Sequence, residues 1–275
     1  MERLHPTGPH PESQERQRVL LESLQDWKEC EPATEDDVAR CHDRAYIQSI
    51  RDISGPTWLD PDTVGSDTSY EGAMLSAGAA LEAVHQEAFA ICRPPGHHAL
   101  PTRAMGFCLF GNAAIAARYA QAELGVARVA IVDWDVHHGN GTDVMFRDDD
   151  SVLVVSLHQW PFYPGSGGPG TSDETTLNVP LAAGSGDAEY LEAFSTLVEP
   201  TVRAFEPGLV LISAGFDAHV ADPLAGMEVT EDGFRELSRR SAQLAPRVGA
   251  VLEGGYNLAT LPRLVEAAIE GLDSA

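Results

Sequence analysis

Asp135 and His137, in the segment DWDVHHGNGT, have the type and spacing of metal ligands. Alternate residues of an extended segment project to the same side, so both side chains can reach one ion. Asp222, from a later loop, offers a third carboxylate. Two carboxylates and one imidazole leave coordination positions open for water and a substrate carbonyl, as catalytic metal sites require. An Asp-x-His triplet also occurs as a simple hydrogen-bonded loop pair, so the prediction of a metal depends on the residues around it.

His97 and His98, in the segment RPPGHH, are candidates for proton transfer. Histidine is the side chain best suited to this role near neutral pH. The preceding prolines and glycine supply a turn that lets the two adjacent rings face one site. A carboxylate behind a ring favours the imidazolium, whereas an amide does not. Asp133 and Asn140 are the candidate partners of these two kinds.

Tyr256 follows two glycines in the segment LEGGYNL. A hydroxyl at the end of a strand could donate a hydrogen bond to a developing oxyanion. The simpler alternative is a tyrosine packed on a turn.

Short apolar runs rich in Val and Ile alternate with segments long enough for crossover helices, which predicts an open α/β sheet, mainly parallel, with helices on both faces. We interpret residues 1–275 as a single domain. Ligands bind beyond the carboxyl ends of such strands, and five of these ends carry polar residues. The expected strands are 88–92, 126–134, 151–158, 207–215 and 248–255, and the expected helices are 12–29, 36–51, 70–87, 111–124, 187–205 and 230–246.

Charge and composition exclude several classes of protein. Asp and Glu total 42 against 18 Lys and Arg, a formal charge of −24, which would repel nucleic acid. The sequence has no apolar run long enough for a membrane span and no secretory leader, so we expect a cytoplasmic protein. The four cysteines form no CxxC pair, so we expect reduced thiols rather than a zinc ribbon or disulfides. Many acids with Lys28 as the only lysine suggest a halophilic source; an acidic enzyme from a GC-rich genome is the alternative.

Five segments in order, RPPGHH, GFCLFGN, DWDVHHGNGT, GFDAHVADPLAG and LEGGYNL, resemble the zinc-dependent histone deacetylase family, which includes acetylpolyamine amidohydrolases and acetoin-utilisation proteins. Asn140 and LEGGYNL resemble its class II branch. The resemblance implies the three-layer arginase/deacetylase fold, with the metal site at the carboxyl ends of the strands. It also implies hydrolysis of an N-acyl amide, typically acetyl-lysine.

The resemblance assigns roles to the candidate residues. Asp135, His137 and Asp222 would bind zinc, in whose place iron(II) or cobalt(II) could act. His98 would be the main general base and then general acid. His97, backed by Asp133, would be its more cationic partner, Asn140 would lie behind His98, and Tyr256 would stabilise the oxyanion.

The resemblance also implies a substrate channel and a second ion. Gly106 and Phe107 would form one wall of an acyl-lysine channel and Tyr163 the opposite wall. A structural monovalent cation, usually potassium, would be held by Asp133, Asp135, His137, Ser156 and Leu157.

The family usually has a short apolar strand before the HPES loop at 10–13, and this sequence begins almost on that loop, so either the strand is absent or the start codon is placed late, and the number of strands is left open. The nearest alternative function is an acetylpolyamine deacetylase. More distant alternatives are an arginase-like enzyme with two manganese ions, which needs more carboxylates than DVHHGN supplies, and a non-hydrolytic acyl-lysine binding module, against which Tyr256 and the metal ligands argue. Acetylated protein lysine and acetylated small amines are both candidate substrates.

We expect the melting temperature to rise with KCl concentration. Raising the salt from about 0.1 M to about 1 M shortens the Debye length from about 10 Å to about 3 Å, which screens repulsion among the acidic side chains. Differential scanning calorimetry over this range measures the effect. An unchanged or falling melting temperature would contradict the halophile hypothesis.

Overall fold

The computed structural model describes residues 4–275 and contains a six-stranded parallel sheet and a separate two-stranded hairpin. The long strands are wholly buried, as the continuous Val and Ile runs require. The strands are β1 Thr57–Trp58, β2 Val64–Gly65, β3 Phe89–Ala90, β4 Val129–Asp133, β5 Val152–Gln159, β6 Thr176–Leu181, β7 Leu209–Ala214 and β8 Val248–Leu252.

Helices flank the six-stranded sheet, which confirms the layered α/β architecture predicted from the sequence. The helices are α1 Gln14–Ser23, α2 Glu35–Val38, α3 Arg44–Arg51, α4 Ser69–Gln86, α5 Asn112–Glu123, α6 Asn140–Phe146, α7 Asp187–Ala193, α8 Glu199–Phe205, α9 Glu231–Ala242 and α10 Leu261–Asp273, with a π-helical turn at Phe194–Val198 between α7 and α8.

The order of strands across the sheet is β3-β8-β7-β4-β5-β6, and every neighbouring pair is parallel. From β4 the chain proceeds outward through β5 and β6, then returns to the other side of β4 with β7. This reversal opens a crevice at the carboxyl ends of β4 and β7, where ligands bind in open α/β sheets. The register pairs Asp133 with Ser156 on β5 and with Ser213 on β7, so the polar strand ends lie in one row.

One strand of the six-stranded sheet was not predicted from the sequence. β6 forms the edge of the sheet beside β5, and its sequence TLNVPL contains Pro180. Proline lacks the N–H that an interior strand must donate, so a strand that contains proline is tolerated at the edge of a sheet. The polar and proline content hid this strand from a search for buried apolar runs.

Two expected helices are shorter than the sequence pattern indicated. The helix expected over 12–29 ends at Ser23, and Asp26 adopts a left-handed φ of 60°. The helix expected over 36–51 is broken into α2 and α3. Between them, buried His42 accepts a hydrogen bond from Gly111 N at 2.8 Å and contacts Leu100 O at 3.1 Å. These tertiary bonds hold the chain out of the helix that its periodicity favours.

The outer side of β3 is an edge of the sheet in residues 4–275. A groove of about 960 Å³ runs along it, lined in part by Leu21, Trp27 and Ala83. None of the candidate site residues lines this groove.

The cysteines and helices bear on two further expectations. Cys92 and Cys108 are buried, Cys30 and Cys41 are half-buried, and all four are free thiols. None of the helices in residues 4–275 combines the length and apolar character needed to cross a bilayer.

A buried ionic cluster fastens the segment before α1 to the turn that carries the histidine pair. Glu12 is fully buried, and its carboxylate lies 2.8 Å from the Nε of Arg93, which directly precedes the two prolines. Arg93 also donates to the backbone oxygens of Ser13 at 3.0 Å and His5 at 2.9 Å. Burial alone would raise the pKa of Glu12, but the charge of Arg93, helped by His5 and Arg16, lowers that pKa to about 2.

We expect Glu12→Gln to lower the free energy of unfolding at pH 7 by about 3 kcal/mol, because it leaves a buried arginine uncompensated. The wild-type advantage should be complete above pH 4.5, the ordinary glutamate pKa, and should disappear as the pH falls towards 2. Urea denaturation of both proteins measures it. Glu15→Gln, an exposed neighbour paired with Arg18, is the matched control and should change stability little; equal losses in both variants would contradict the prediction.

Candidate active site and metal centre

Asp135, His137 and Asp217 form the candidate metal centre. One ligand atom from each lies within 4.8 Å of the other two. Nδ1 of His137 is 3.0 Å from Asp135 Oδ1 and 3.1 Å from Asp217 Oδ2. Asp135 and His137 follow β4 and Asp217 follows β7, so this centre occupies the crevice that the strand order creates.

Asp222, the third metal ligand predicted from the sequence, is not a member of this group, to which Asp217 contributes the second carboxylate; its role as a ligand stays a prediction. Both oxygens of Asp222 accept backbone hydrogen bonds, Oδ2 from Tyr256 N at 2.7 Å and Oδ1 from Leu224 N at 3.0 Å. Asp222 therefore fastens the turn that carries Tyr256. Both carboxylates belong to the segment after β7; the resemblance singles out Asp222, and the structure places Asp217 within reach of Asp135 and His137.

The chemistry of this donor set fits a divalent cation. Asp217 Oδ2 is buried, and its one close polar neighbour among the described residues is Nδ1 of His137 at 3.1 Å, whose proton Asp135 also competes for, while Oδ1 accepts from Val136 N at 2.8 Å. Burial and the neighbouring charge of Asp135 raise the pKa of Asp217 to about 7. A cation would satisfy Oδ2 and neutralise the pair of carboxylates, and a carboxylate–imidazole–carboxylate set suits zinc.

The structure brings the two adjacent histidines together, with the partners expected from the sequence. Their ring centroids are 3.9 Å apart. Nδ1 of His97 donates to Asp133 Oδ2 at 2.9 Å, and Nδ1 of His98 donates to Asn140 Oδ1 at 2.7 Å. In both rings Nδ1 carries the proton of this hydrogen bond, so Nε2 remains available for other interactions.

The two histidines have opposite electrostatic surroundings. Burial alone would lower the pKa of His97, but the carboxylates of Asp135 and Asp133 hold it well above its ordinary value. Burial and the charge of His97 hold the pKa of His98 well below its ordinary value. The geometry thus gives one imidazolium and one neutral imidazole side by side, the arrangement that an electrostatic partner and a general base require.

Helix α6 positions both histidines. The carbonyl oxygen of His97 accepts from Gly141 N at 3.0 Å and Thr142 N at 3.2 Å, which satisfies first-turn donors of the helix. Asn140, the first residue of α6, supplies the amide that holds His98. A side chain at Gly141 would overlap the backbone of His98 and Ala99, so this close approach requires glycine.

Tyr256 is partly exposed at the site, on a turn held by a buried arginine that sequence reasoning missed. Arg16 is 1% exposed, donates to Gly255 O at 2.7 Å, and has its guanidinium carbon 5.0 Å from the centre of the Tyr256 ring. Burial holds the pKa of Tyr256 well above its ordinary value, so the hydroxyl keeps its proton. Nothing in the sequence distinguishes Arg16 from other polar residues of an amphipathic helix.

Aromatic rings surround the histidines, as the expected channel requires. The ring of Tyr163 lies edge-on to His98 at 5.2 Å, and Phe107 lies edge-on to Tyr256 at 5.8 Å. Gly106 has a φ of 56°, and a side chain there would overlap the ring of His98. Phe162, which the sequence reasoning did not single out, stacks on His137 at 5.1 Å.

The proposed monovalent-cation residues lie at the adjoining ends of β4 and β5. Asp133 is in register with Ser156, and Leu157 follows on the same strand. Asp133 Oδ1 accepts from Asp135 N at 3.0 Å, and Asp135 Oδ1 accepts from His137 N at 2.9 Å. These bonds bring the backbone of Asp133, Asp135 and His137 together, and the cation itself stays a prediction.

Comparison with known proteins gives a consistent family. The histone deacetylase domain model matches residues 10–272. The chain is 37% identical to "Histone deacetylase 10, chloroplastic" of Oryza sativa, over 94% of this chain and 68% of that protein. It is 40% identical to "Histone deacetylase-like amidohydrolase" of Pseudomonas aeruginosa, over 95% of this chain and 76% of that protein.

A solved structure supports the same conclusion. The crystal structure of the HDA15 HD domain superposes with a TM-score of 0.93 at 35% identity, covering 98% of this chain and 85% of that one. Its likeness confirms the arginase/deacetylase fold expected from the sequence. With the matched domain spanning nearly all of the described residues, the chain belongs to the histone deacetylase family.

Proposed function

We propose that this protein is a zinc-dependent deacetylase that hydrolyses the acetyl amide of N-ε-acetyl-lysine in proteins. Family membership supports a hydrolase of the deacetylase and amidohydrolase kind. One observation carries the proposal. The adjacent rings of His97 and His98 have a carboxylate and an amide as their respective partners, and they lie beside the group Asp135, His137 and Asp217. This combination supports the proposal, because metal-assisted amide hydrolysis needs both proton-transfer groups and metal ligands.

The proposed reaction assigns one step to each residue. Asp135, His137 and Asp217 would hold the zinc, which would supply a Lewis acid for the acetyl carbonyl and for water. His98, neutral and with its Nδ1 proton fixed by Asn140, accepts a proton from the attacking water through Nε2. His98 then returns the proton to the leaving amine, and the cationic His97 supplies positive charge beside the reacting atoms.

Tyr256 completes the site by donating its hydroxyl proton in a hydrogen bond to the oxyanion. Its raised pKa suits a donor that must not ionise. Phe107 and Tyr163 offer aromatic surfaces for an aliphatic chain such as the lysine stem. The same surfaces would accept the methylene chain of an acetylpolyamine, which is the second candidate substrate.

We expect the variants Asp217→Asn and Asp222→Asn to differ in zinc affinity. Asp217→Asn should weaken zinc affinity by more than about 100-fold, because the loss of an outer partner alone typically costs 10–100-fold. Asp222→Asn should keep most of the zinc affinity but lower turnover, because it loosens the turn that carries Tyr256. Zinc content after dialysis and a competition titration with a chelator measure both variants. Zinc lost from Asp222→Asn and kept by Asp217→Asn would restore the ligand assignment made from the sequence.

We expect the zinc-loaded enzyme to release acetate from an acetyl-lysine peptide faster than from an N-acetylpolyamine, assayed side by side in molar KCl. His98→Ala should abolish turnover, and Tyr256→Phe should lower kcat by about 10²–10³-fold while zinc content is unchanged. Faster release from the N-acetylpolyamine would instead support a small-molecule deacetylase that uses the same residues. No turnover of either substrate by zinc-loaded wild type would refute the acetyl-amide assignment.

A further inference from the structure

Glu253, the first residue after β8, is a wholly buried carboxylate to which the proposed reaction gives no role. Its Oε2 accepts hydrogen bonds from Gly96 N at 2.6 Å and His97 N at 3.1 Å. Its Oε1 accepts from Ser213 Oγ at 3.1 Å. A buried carboxylate costs free energy unless such bonds compensate it, and here two of the three donors belong to the histidine turn.

These two donors are the first backbone N–H groups that the turn can offer. Pro94 and Pro95 have none, so Gly96 and His97 carry the first amides after Arg93. A buried amide without a partner costs free energy comparable to a lost hydrogen bond. One carboxylate oxygen satisfies both amides and thereby fixes the peptide group that joins Gly96 to His97.

The opposite side of the same peptide segment is held as well. The carbonyl oxygen of His97 accepts from Gly141 N and Thr142 N at the start of α6. Glu253 therefore supplies the acceptor, and α6 the donors, that hold the backbone of His97 from both sides. The side chains of His97 and His98 project from this clamped segment towards Asp133 and Asn140.

We propose that Glu253 is a positioning residue that sets the His97–His98 pair through its backbone, without touching substrate or metal. This inference rests on the proposed function, in which the two histidines transfer or stabilise charge. Small displacements of proton-transfer groups lower turnover far more than they lower substrate affinity. A residue with this role should therefore act on kcat and leave KM nearly unchanged.

The chemistry of the side chain provides a matched series of variants. Glu253→Gln keeps an oxygen that can accept from both amides, and its NH₂ can donate to Ser213 Oγ, so it should retain the clamp. Glu253→Ala removes the acceptor altogether. Glu253→Asp keeps the charge but withdraws the acceptor by one methylene group.

We expect Glu253→Ala to lower kcat of the zinc-loaded enzyme by about 100-fold with little change in KM, because the histidines lose their fixed backbone. Glu253→Gln should keep most of the wild-type kcat. Hydrogen–deuterium exchange of the peptide covering 93–98 should be faster in the alanine variant and near wild type in the glutamine variant. Leu237→Ala, a truncation of the core on α9, is the control for lost stability and should leave kcat nearly unchanged.

Three results would overturn the inference: unchanged kcat in Glu253→Ala despite faster exchange, unchanged exchange in that variant, or an equal loss of kcat in Leu237→Ala. If the alanine variant does not fold, the aspartate variant provides the same comparison with glutamine. If the wild-type enzyme were inactive on every acylated amine, the proposed function would be refuted, and with it the catalytic part of the role of Glu253. The exchange measurement judges the hydrogen-bond clamp separately, so the two failures are distinguishable.

Discussion

Hydrogen bonds from loop backbone N–H groups to buried carboxylates organise the carboxyl edge of the sheet. Such charged acceptors bind amides more strongly than neutral ones and compensate for their own burial. Four of the bonds join loops that leave different strands, so these loops are defined jointly. The bonds join Asp133 to Asp135 N, Asp135 to His137 N and Gly254 N, Asp217 to Val136 N, and Glu253 to Gly96 N and His97 N.

In two of these carboxylates, one oxygen accepts a backbone hydrogen bond and the other belongs to the candidate site. Oδ1 of Asp133 holds a backbone amide while Oδ2 accepts the proton of His97. Oδ1 of Asp217 holds Val136 N while Oδ2 is left for a cation. The carboxylates that the proposed reaction needs therefore also hold the backbone of the loops around them. Removing one of these groups should disturb both, which is why variants that preserve the acceptor are more informative than truncations.

The sequence was sufficient to predict the parallel sheet and most of the proton-transfer geometry. Buried Val and Ile runs identify β4, β5, β7 and β8 because a strand covered on both faces has no polar alternation. Asp133 and Asn140 could be named as candidate partners of the histidines from their side-chain types, and the resemblance to the family paired Asp133 with His97 and Asn140 with His98. β6 was missed because an edge strand can be polar and contain Pro180.

The features that the sequence did not reveal depend on contacts between distant segments. Asp217 and Asp222 are both acidic residues in one loop, and only the fold shows that Asp217 lies beside Asp135 and His137 while Asp222 accepts from Tyr256 N. Arg16 is indistinguishable from a surface arginine until α1 is packed under the turn of Tyr256. Glu253 was noticed only as a polar strand end, because its partners are backbone amides more than 150 positions away, which leave no trace in residue identity.

The difference between two adjacent histidines follows from the topology rather than from the histidines themselves. Asp133 is the last residue of β4, inside the sheet, whereas Asn140 is the first residue of α6, beyond the loop that carries the metal ligands. Because Pro94, Pro95 and Gly96 turn the chain at this point, His97 faces the strand and His98 faces the helix. One ring consequently borders the carboxylates that a metal site requires, and the other borders an uncharged amide. The loop that assembles the metal ligands thus also separates the two partners, so the metal centre and the acid–base pair arise from one strand–loop–helix unit.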